Sequence, residues 1–144
     1  MTVAFAQAPV RPPYGAAISL ETAKKVAAGA MAEAKKQGWP VVVAIVDNHG
    51  MLIYYEMMDN TQTASAEVAI DKARTAAIWR RPSTESEQNV VDRRLALLGV
   101  RQVFPVEGGL PIIIDGKMVG AVGVSGVTSA QDGQVARAGL DALK

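Results

Sequence analysis

The sequence has no cysteine in its 144 residues, which rules out disulfides and thiolate metal sites but fits an oxidising or a reducing compartment equally well. Aromatic residues make up only 5% of the chain against 49% hydrophobic residues overall. The core must therefore be built from Ala, Val, Ile, Leu and Met, a set suited to close packing of helices on a sheet. Neither sign of charge is in excess, with 15 Lys and Arg against 14 Asp and Glu, so no nucleic-acid footprint is expected. No apolar run approaches the roughly 18 to 20 residues that span a bilayer, so no membrane span is expected. There is no Gly-x-Ser-x-Gly elbow, Walker loop, dinucleotide fingerprint or His-Glu-x-x-His, and His49 is the only histidine. What remains is a chain the size of one ordinary domain, long enough to bury a core without staples.

The chain is organised around residues 107–126. Two apolar runs, 110–114 and 118–124, flank Asp115-Gly116, a pair that tolerates positive φ at both positions and predicts a two-residue hairpin. Both runs are apolar at odd and even positions alike, so each face of the ribbon needs a cover. Gly120, Gly123 and Gly126 recur along the second run, where a missing side chain admits another backbone or a ligand. A helix packed on a bare strand and a ligand floor both satisfy that spacing.

Residues 1–17 hold Pro9, Pro12, Pro13 and Gly15 and are expected to form an extended arm before a folded domain over 18–144. Ala4-Phe5-Ala6 followed by Gln7 has the small-x-small pattern of a signal-peptidase site, without the charged and apolar segments that precede one. A periplasmic or secreted protein shortened to its mature form behind Met1 accounts for the pattern, and so does the tail of a cytoplasmic protein. Ser19 caps a helix that Gly38-Trp39-Pro40 ends. Residues 41–46 and 51–56 flank Asp47-Asn48-His49-Gly50 and predict a second hairpin. The next helix starts from a cap on Thr63 or Ser65 and runs to Arg80, with Pro82 beyond it. Thr84 and Glu87 have capping-box spacing for a short helix, and residues 100–106 suit an edge strand limited by Pro105. Ser129 and Asp132 read as the cap and first-turn acid of a last helix. Hairpinned strands predict an antiparallel sheet, and apolar residues on both of its faces predict helices on both sides.

Three phrases carry a resemblance: Trp39-Pro40 leading into Val-Val-Val-Ala-Ile-Val-Asp; Asp71-Lys72-Ala73-Arg74-Thr75-Ala76; and Glu107-Gly-Gly-Leu-Pro with Gly-Ala-Val-Gly-Val-Ser-Gly and Gln131-Asp132. Together they resemble the GlcG/HbpS family, the haem-binding-protein-like group that is also similar to the C-terminal domain of PduO-type corrinoid adenosyltransferases. The resemblance covers about residues 14–143. It implies an α/β (α+β) profilin-like or PAS-like three-layer sandwich, with an antiparallel sheet of about five strands between helices, often assembled into homo-oligomers. Roles within the family range from haem and iron binding to accessory functions in catabolic operons, so the resemblance constrains fold more than function. Where the family usually carries Arg before Met-Asp after the second strand, this chain has Met57-Met58-Asp59.

A haem site needs an axial ligand, an apolar slot and cations for the propionates. His49 is a candidate metal or haem ligand, although Asp-Asn-His-Gly is also simply good turn chemistry. Tyr54, Tyr55, Met57 and Met58 are the other candidate axial ligands, or rim packing. Lys72, Arg74, Arg80 and Arg81 could meet an anionic group or form a solvated helix face. Glu107, held before Gly108 and Gly109 at the edge of a buried ribbon, could act as a general acid or base, with Lys72 or Arg74 stabilising an oxyanion. Asp132 joins that ligand-binding set or serves only as a helix cap. Three readings follow. The first is a small-ligand-binding protein holding haem or another flat anionic molecule between the sheet edge and the Lys72/Arg74 helix. The others are a cofactor-free lyase or isomerase acting through Glu107, and an oligomeric accessory scaffold.

Overall fold

The computed structural model describes residues 6–144, so Ala4 and Phe5 of the export-like motif lie outside the described residues. The arm runs extended alongside the sheet: Met118 N–H donates to the Pro13 carbonyl and Gly15 N–H to the Met118 carbonyl, making Tyr14 a parallel bridge partner of Met118. Helix α1, Leu20–Gln37, is capped by the Ser19 hydroxyl, which accepts from Thr22 N–H at 3.1 Å. It ends at Gly38 in the left-handed conformation (φ 71°). Strands β1, Val42–Asp47, and β2, Leu52–Met57, form the first hairpin. Asp47 closes it, its Oδ1 accepting from His49 and Met51 N–H at 2.8 and 3.0 Å.

Helix α2, Ser65–Trp79, has no side-chain cap, contrary to the expected cap on Thr63 or Ser65. The Ser65 hydroxyl is spent inside the core, accepting from Ser125 Oγ at 3.0 Å. Helix α3, Ser83–Val91, also lacks its predicted capping box. The Glu87 carboxylate instead accepts from Glu107 N–H at 2.6 Å. A short 3-10 helix follows at Leu95–Gly99. Strand β3, Gly109–Ile114, and strand β4, Lys117–Ser125, turn at Asp115 (φ 51°) and Gly116 (φ 72°) as their chemistry predicts. Helix α4, Ser129–Asp141, is capped by Thr128 rather than Ser129, in a capping box with Gln131.

The sheet is antiparallel throughout, in the order β2-β1-β4-β3. Among the described residues four strands replace the expected five or so. The missing one corresponds to residues 100–106, whose backbone is tied to α2 instead of to a strand: Phe104 N–H donates to Thr75 Oγ1 at 2.8 Å, and Trp79 Nε1 to the Gln102 carbonyl at 3.2 Å. One face of the sheet packs on α2 through Val42, Ala44, Val46 and Ala121; the other packs on α1 and α4 through Val43, Ile45, Val122 and Val124. Each fully buried Val or Ile of this kind contributes about 1.5–3 kcal/mol. A side chain at Gly123 would strike the Ala69 carbonyl of α2. The bare strand there is a seat for a helix and leaves no ligand floor. Helix α2 lies antiparallel to β4, with Ser65 beside Ser125 and Ile78 against the Gly50 turn, so it spans both ends of the sheet.

Candidate functional site

At the Ser125 end, Lys72 is almost fully enclosed, at 1% exposure. Helix side chains lean toward the helix N-terminus, which takes its Nζ past the sheet to Asp132 Oδ2 at 2.8 Å and the Val124 carbonyl at 3.0 Å. Asp132, 2% exposed, also accepts from Val127 N–H at 3.1 Å. Burial pushes its carboxyl above the usual range, while the bond to Lys72 works in the opposite direction. Gly108 (φ 127°) crosses directly over this pair: a Cβ there would lie 2.7 Å from the Val124 carbonyl and 3.0 Å from Lys72 Nζ. Gly109 fits against the backbone of Lys72 and takes a bond from its own N–H to Ser83 Oγ at 2.9 Å. The half-buried Glu107 side chain rests on the first turn of α4, its Oε1 2.7 Å from where a Gly133 Cβ would stand. The structure thus brings Glu107, Gly108, Gly109, Lys72 and Asp132 together, but the ammonium meant to steady an oxyanion is already bonded to Asp132. Neither of the two clefts described next includes any of these five residues.

At the opposite end a cleft of about 510 Å³ opens between three walls: His49, Gly50 and Met51 of the β1–β2 turn; Asp71, Arg74, Thr75 and Ile78 of α2; and Gln102, Val103 and Phe104. A second cleft of about 480 Å³ shares His49, Ile78 and Gln102 with it and adds Tyr14, Gly15 and Asn48. Both volumes suit a small molecule. Arg74 is anchored by Nε donating to the Gly50 carbonyl at 3.1 Å. Burial raises the Asp71 carboxyl, Arg74 counters it and Glu67 adds to it. Arg80 lies over the Tyr14 ring, 5.0 Å from its centroid, and donates to the Pro12 carbonyl at 3.3 Å. Tyr14 itself is fixed by its hydroxyl donating to the Ile78 carbonyl at 2.9 Å. His49 is exposed on the turn and borders both clefts. Tyr55 borders neither; it sits on β2 with its hydroxyl 3.6 Å from Met57 Sδ.

Among the described residues no three His, Asp or Glu side chains are grouped to hold a bare metal ion. A lone imidazole suits haem iron, whose porphyrin supplies the other ligands, and does not suit a zinc site. Sequence reasoning missed Asp71, Thr75, Asn48, Gln102 and Phe104 as lining residues. Asp71 and Thr75 stood within a recognised phrase, but the wall at Gln102 and Phe104 was hidden by reading residues 100–106 as a strand.

Residues 18–141 match the family described as haem degrading protein HbpS-like. The chain belongs to the HbpS-like family. Within it, the chain is 39% identical over 108 residues to protein GlcG of Escherichia coli strain K12, covering 75% of this chain and 81% of GlcG. The HbpS-like fold superposes on a double-mutant HbpS from Streptomyces reticuli with a TM-score of 0.83 at 30% identity, over 98% of this chain and 99% of that one. It superposes on the structure of a PduOC complex with haem with a TM-score of 0.80 at 28% identity, over 88% and 94% of the two chains.

Proposed function

We propose that this HbpS-like chain binds haem, or another flat anionic molecule, in the cleft bounded by the β1–β2 turn, α2 and residues 102–104. One observation carries the reading: an imidazole and a thioether, His49 and Met51, stand on one wall, the Arg74 guanidinium on another, and Ile78, Val103 and Phe104 supply apolar surface between them. That is the ligand, cation and slot a haem site requires. In this arrangement His49 would hold the iron, Arg74 would meet one propionate, and Arg80, held over Tyr14 beside the adjoining cleft, would be available to the second. Bound haem would supply redox-active iron; the chain's residues bind it, orient it and shield one side from water. The family description and the haem complex of PduOC support the same ligand class.

Absorbance titration with haem tests the proposal. A saturable Soret shift at micromolar protein is expected, lost in His49→Ala and weakened in Arg74→Gln; a folded wild-type protein giving no saturable shift removes it. Assembly into a homo-oligomer belongs to the same proposal, supported by Leu52, Tyr55 and Met57 exposed on outer strand β2 and Ile113 and Ile114 exposed on outer strand β3. Mass measurement in solution checks it, a monomer at all concentrations being the contrary result. The periplasmic or secreted location is likewise proposed, and fractionation of the native host is its test.

A further inference from the structure

Between α3 and the cleft wall at Gln102 to Phe104 lies a segment that the haem reading does not use. Residues 91–101 run Val-Asp-Arg-Arg-Leu-Ala-Leu-Leu-Gly-Val-Arg, from the last residue of α3 through the 3-10 helix. Only Leu97 turns inward, at 5% exposure; Val91, Leu95 and Leu98 stand 66%, 60% and 64% exposed, and Val100 is exposed as well. Residues three apart in a 3-10 helix eclipse one another, so Leu95 and Leu98 project from the same side. Backbone bonds fix the segment: Arg94 N–H donates to the Asn89 carbonyl at 2.9 Å, and Leu97 and Val100 N–H to the Arg94 and Leu97 carbonyls, each at 3.2 Å. Arg93, Arg94 and Arg101 are exposed around these aliphatic side chains, and among the described residues none of the three forms an ion pair. The one acid of the segment, Asp92, accepts from Gln88 Nε2 at 3.0 Å. Arg93 has φ 68°, in the left-handed region where glycine is less costly, so its place in the turn is not explained by backbone preference.

We propose that residues 91–101 dock the protein on an anionic lipid surface, with Leu95 and Leu98 entering the boundary between headgroups and acyl chains and Arg93, Arg94 and Arg101 meeting lipid phosphates. Binding at such a surface needs exposed apolar area and basic charge together, and this segment presents both, three arginines against one aspartate in a chain that is otherwise nearly balanced. Guanidiniums suit phosphate oxygens, which they meet in bidentate fashion. A second copy of the chain is the rival cover for the same aliphatic side chains. A two-fold contact there would set three arginines against three, with a single aspartate on each side, a like-charge juxtaposition that opposes pairing. No described helix is long and apolar enough to cross a membrane, so the contact is peripheral. It does not depend on haem binding.

Co-sedimentation of the full chain with phosphatidylcholine vesicles, with and without phosphatidylglycerol, tests the proposal. Saturable binding to the phosphatidylglycerol vesicles is expected, weakened by added salt. Arg94→Gln and Arg101→Gln should each weaken it about fivefold, and Leu95→Ser about tenfold. All three side chains are exposed, so these variants keep the fold, as a thermal melt would show. Arg93→Gly separates structure from docking: φ 68° suits glycine, so the melting temperature should change little while vesicle binding falls about fivefold. Leu20→Ser, an exposed aliphatic position on α1, leaves binding unchanged. Sedimentation with phosphatidylglycerol vesicles no greater than with phosphatidylcholine alone overturns the proposal, and so does binding that survives Leu95→Ser and Arg94→Gln. Self-association in lipid-free solution that Leu95→Ser abolishes would give this face to a second copy and overturn it as well.

Discussion

Lys72 and Arg74 stand two residues apart on α2, yet the first is sealed against Asp132 at 2.8 Å while the second borders a cleft of about 510 Å³. With 3.6 residues per turn, that separation turns a side chain roughly 200° around the helix, so the two cations cannot form one wall. The charge at the Ser125 end is consumed in tying α2 to α4. At the turn end, the charge on Arg74 faces space that a ligand can fill. Removing Lys72 should therefore damage the fold and spare the ligand, and removing Arg74 should do the reverse.

The largest effect is expected from Lys72→Met, which strands a buried carboxylate and should cost about 3–5 kcal/mol in urea denaturation. Adding Asp132→Leu should recover most of that loss, because the uncompensated charge goes with it. A single variant as stable as wild type would mean the pair is no tether. Next, Arg74→Gln should weaken an anionic ligand about tenfold while moving the urea midpoint little; equal losses of stability and affinity would erase the distinction between the two ends.

A smaller signature lies in pH. Burial raises the Asp132 carboxyl above the ordinary aspartate value, so the folded chain holds that proton more tightly than the unfolded chain does. Its contribution is accordingly most favourable below the unfolded value of about 3.9 and declines as pH rises through the folded one. The stability of wild type relative to Asp132→Asn should thus fall as pH is raised from about 4, and a rise over that interval would reverse the assignment. Smallest of all, Glu107→Gln should leave haem affinity unchanged, since Glu107 lies at the other end of the sheet from the cleft; a marked loss would move the ligand to the Gly108-Gly109 crossing.

The two hairpins, the helix stops at Gly38 and Arg80, and the layered arrangement were legible because turn chemistry and two-sided apolar runs depend on neighbouring residues alone. At α4 the cap shifts by one residue, to Thr128, whereas the cap on Ser65 and the Thr84–Glu87 box give way because capping side chains have competing partners that only the folded chain supplies. Glu87 serves Glu107, and Ser65 serves Ser125. For the candidate site, the sequence suggests residue types but not their grouping. His49 and Arg74 border one cleft, whereas Lys72, Asp132 and Glu107 gather elsewhere, a division set by helix phase and by how β4 aligns with α2. The loop holding Gln102 and Phe104 reads as an edge strand because its Val and Phe content gives no hint that Thr75 and Trp79 claim its backbone groups.

Paramagnetic broadening of backbone amide signals on adding ferric haem locates the ligand directly. The account predicts signal loss at His49 to Met51, Arg74 to Ile78 and Gln102 to Phe104, with Gly108, Gly109 and Asp132 left sharp. Broadening centred on Gly108, Gly109 and Asp132, with the His49 turn unaffected, would contradict it.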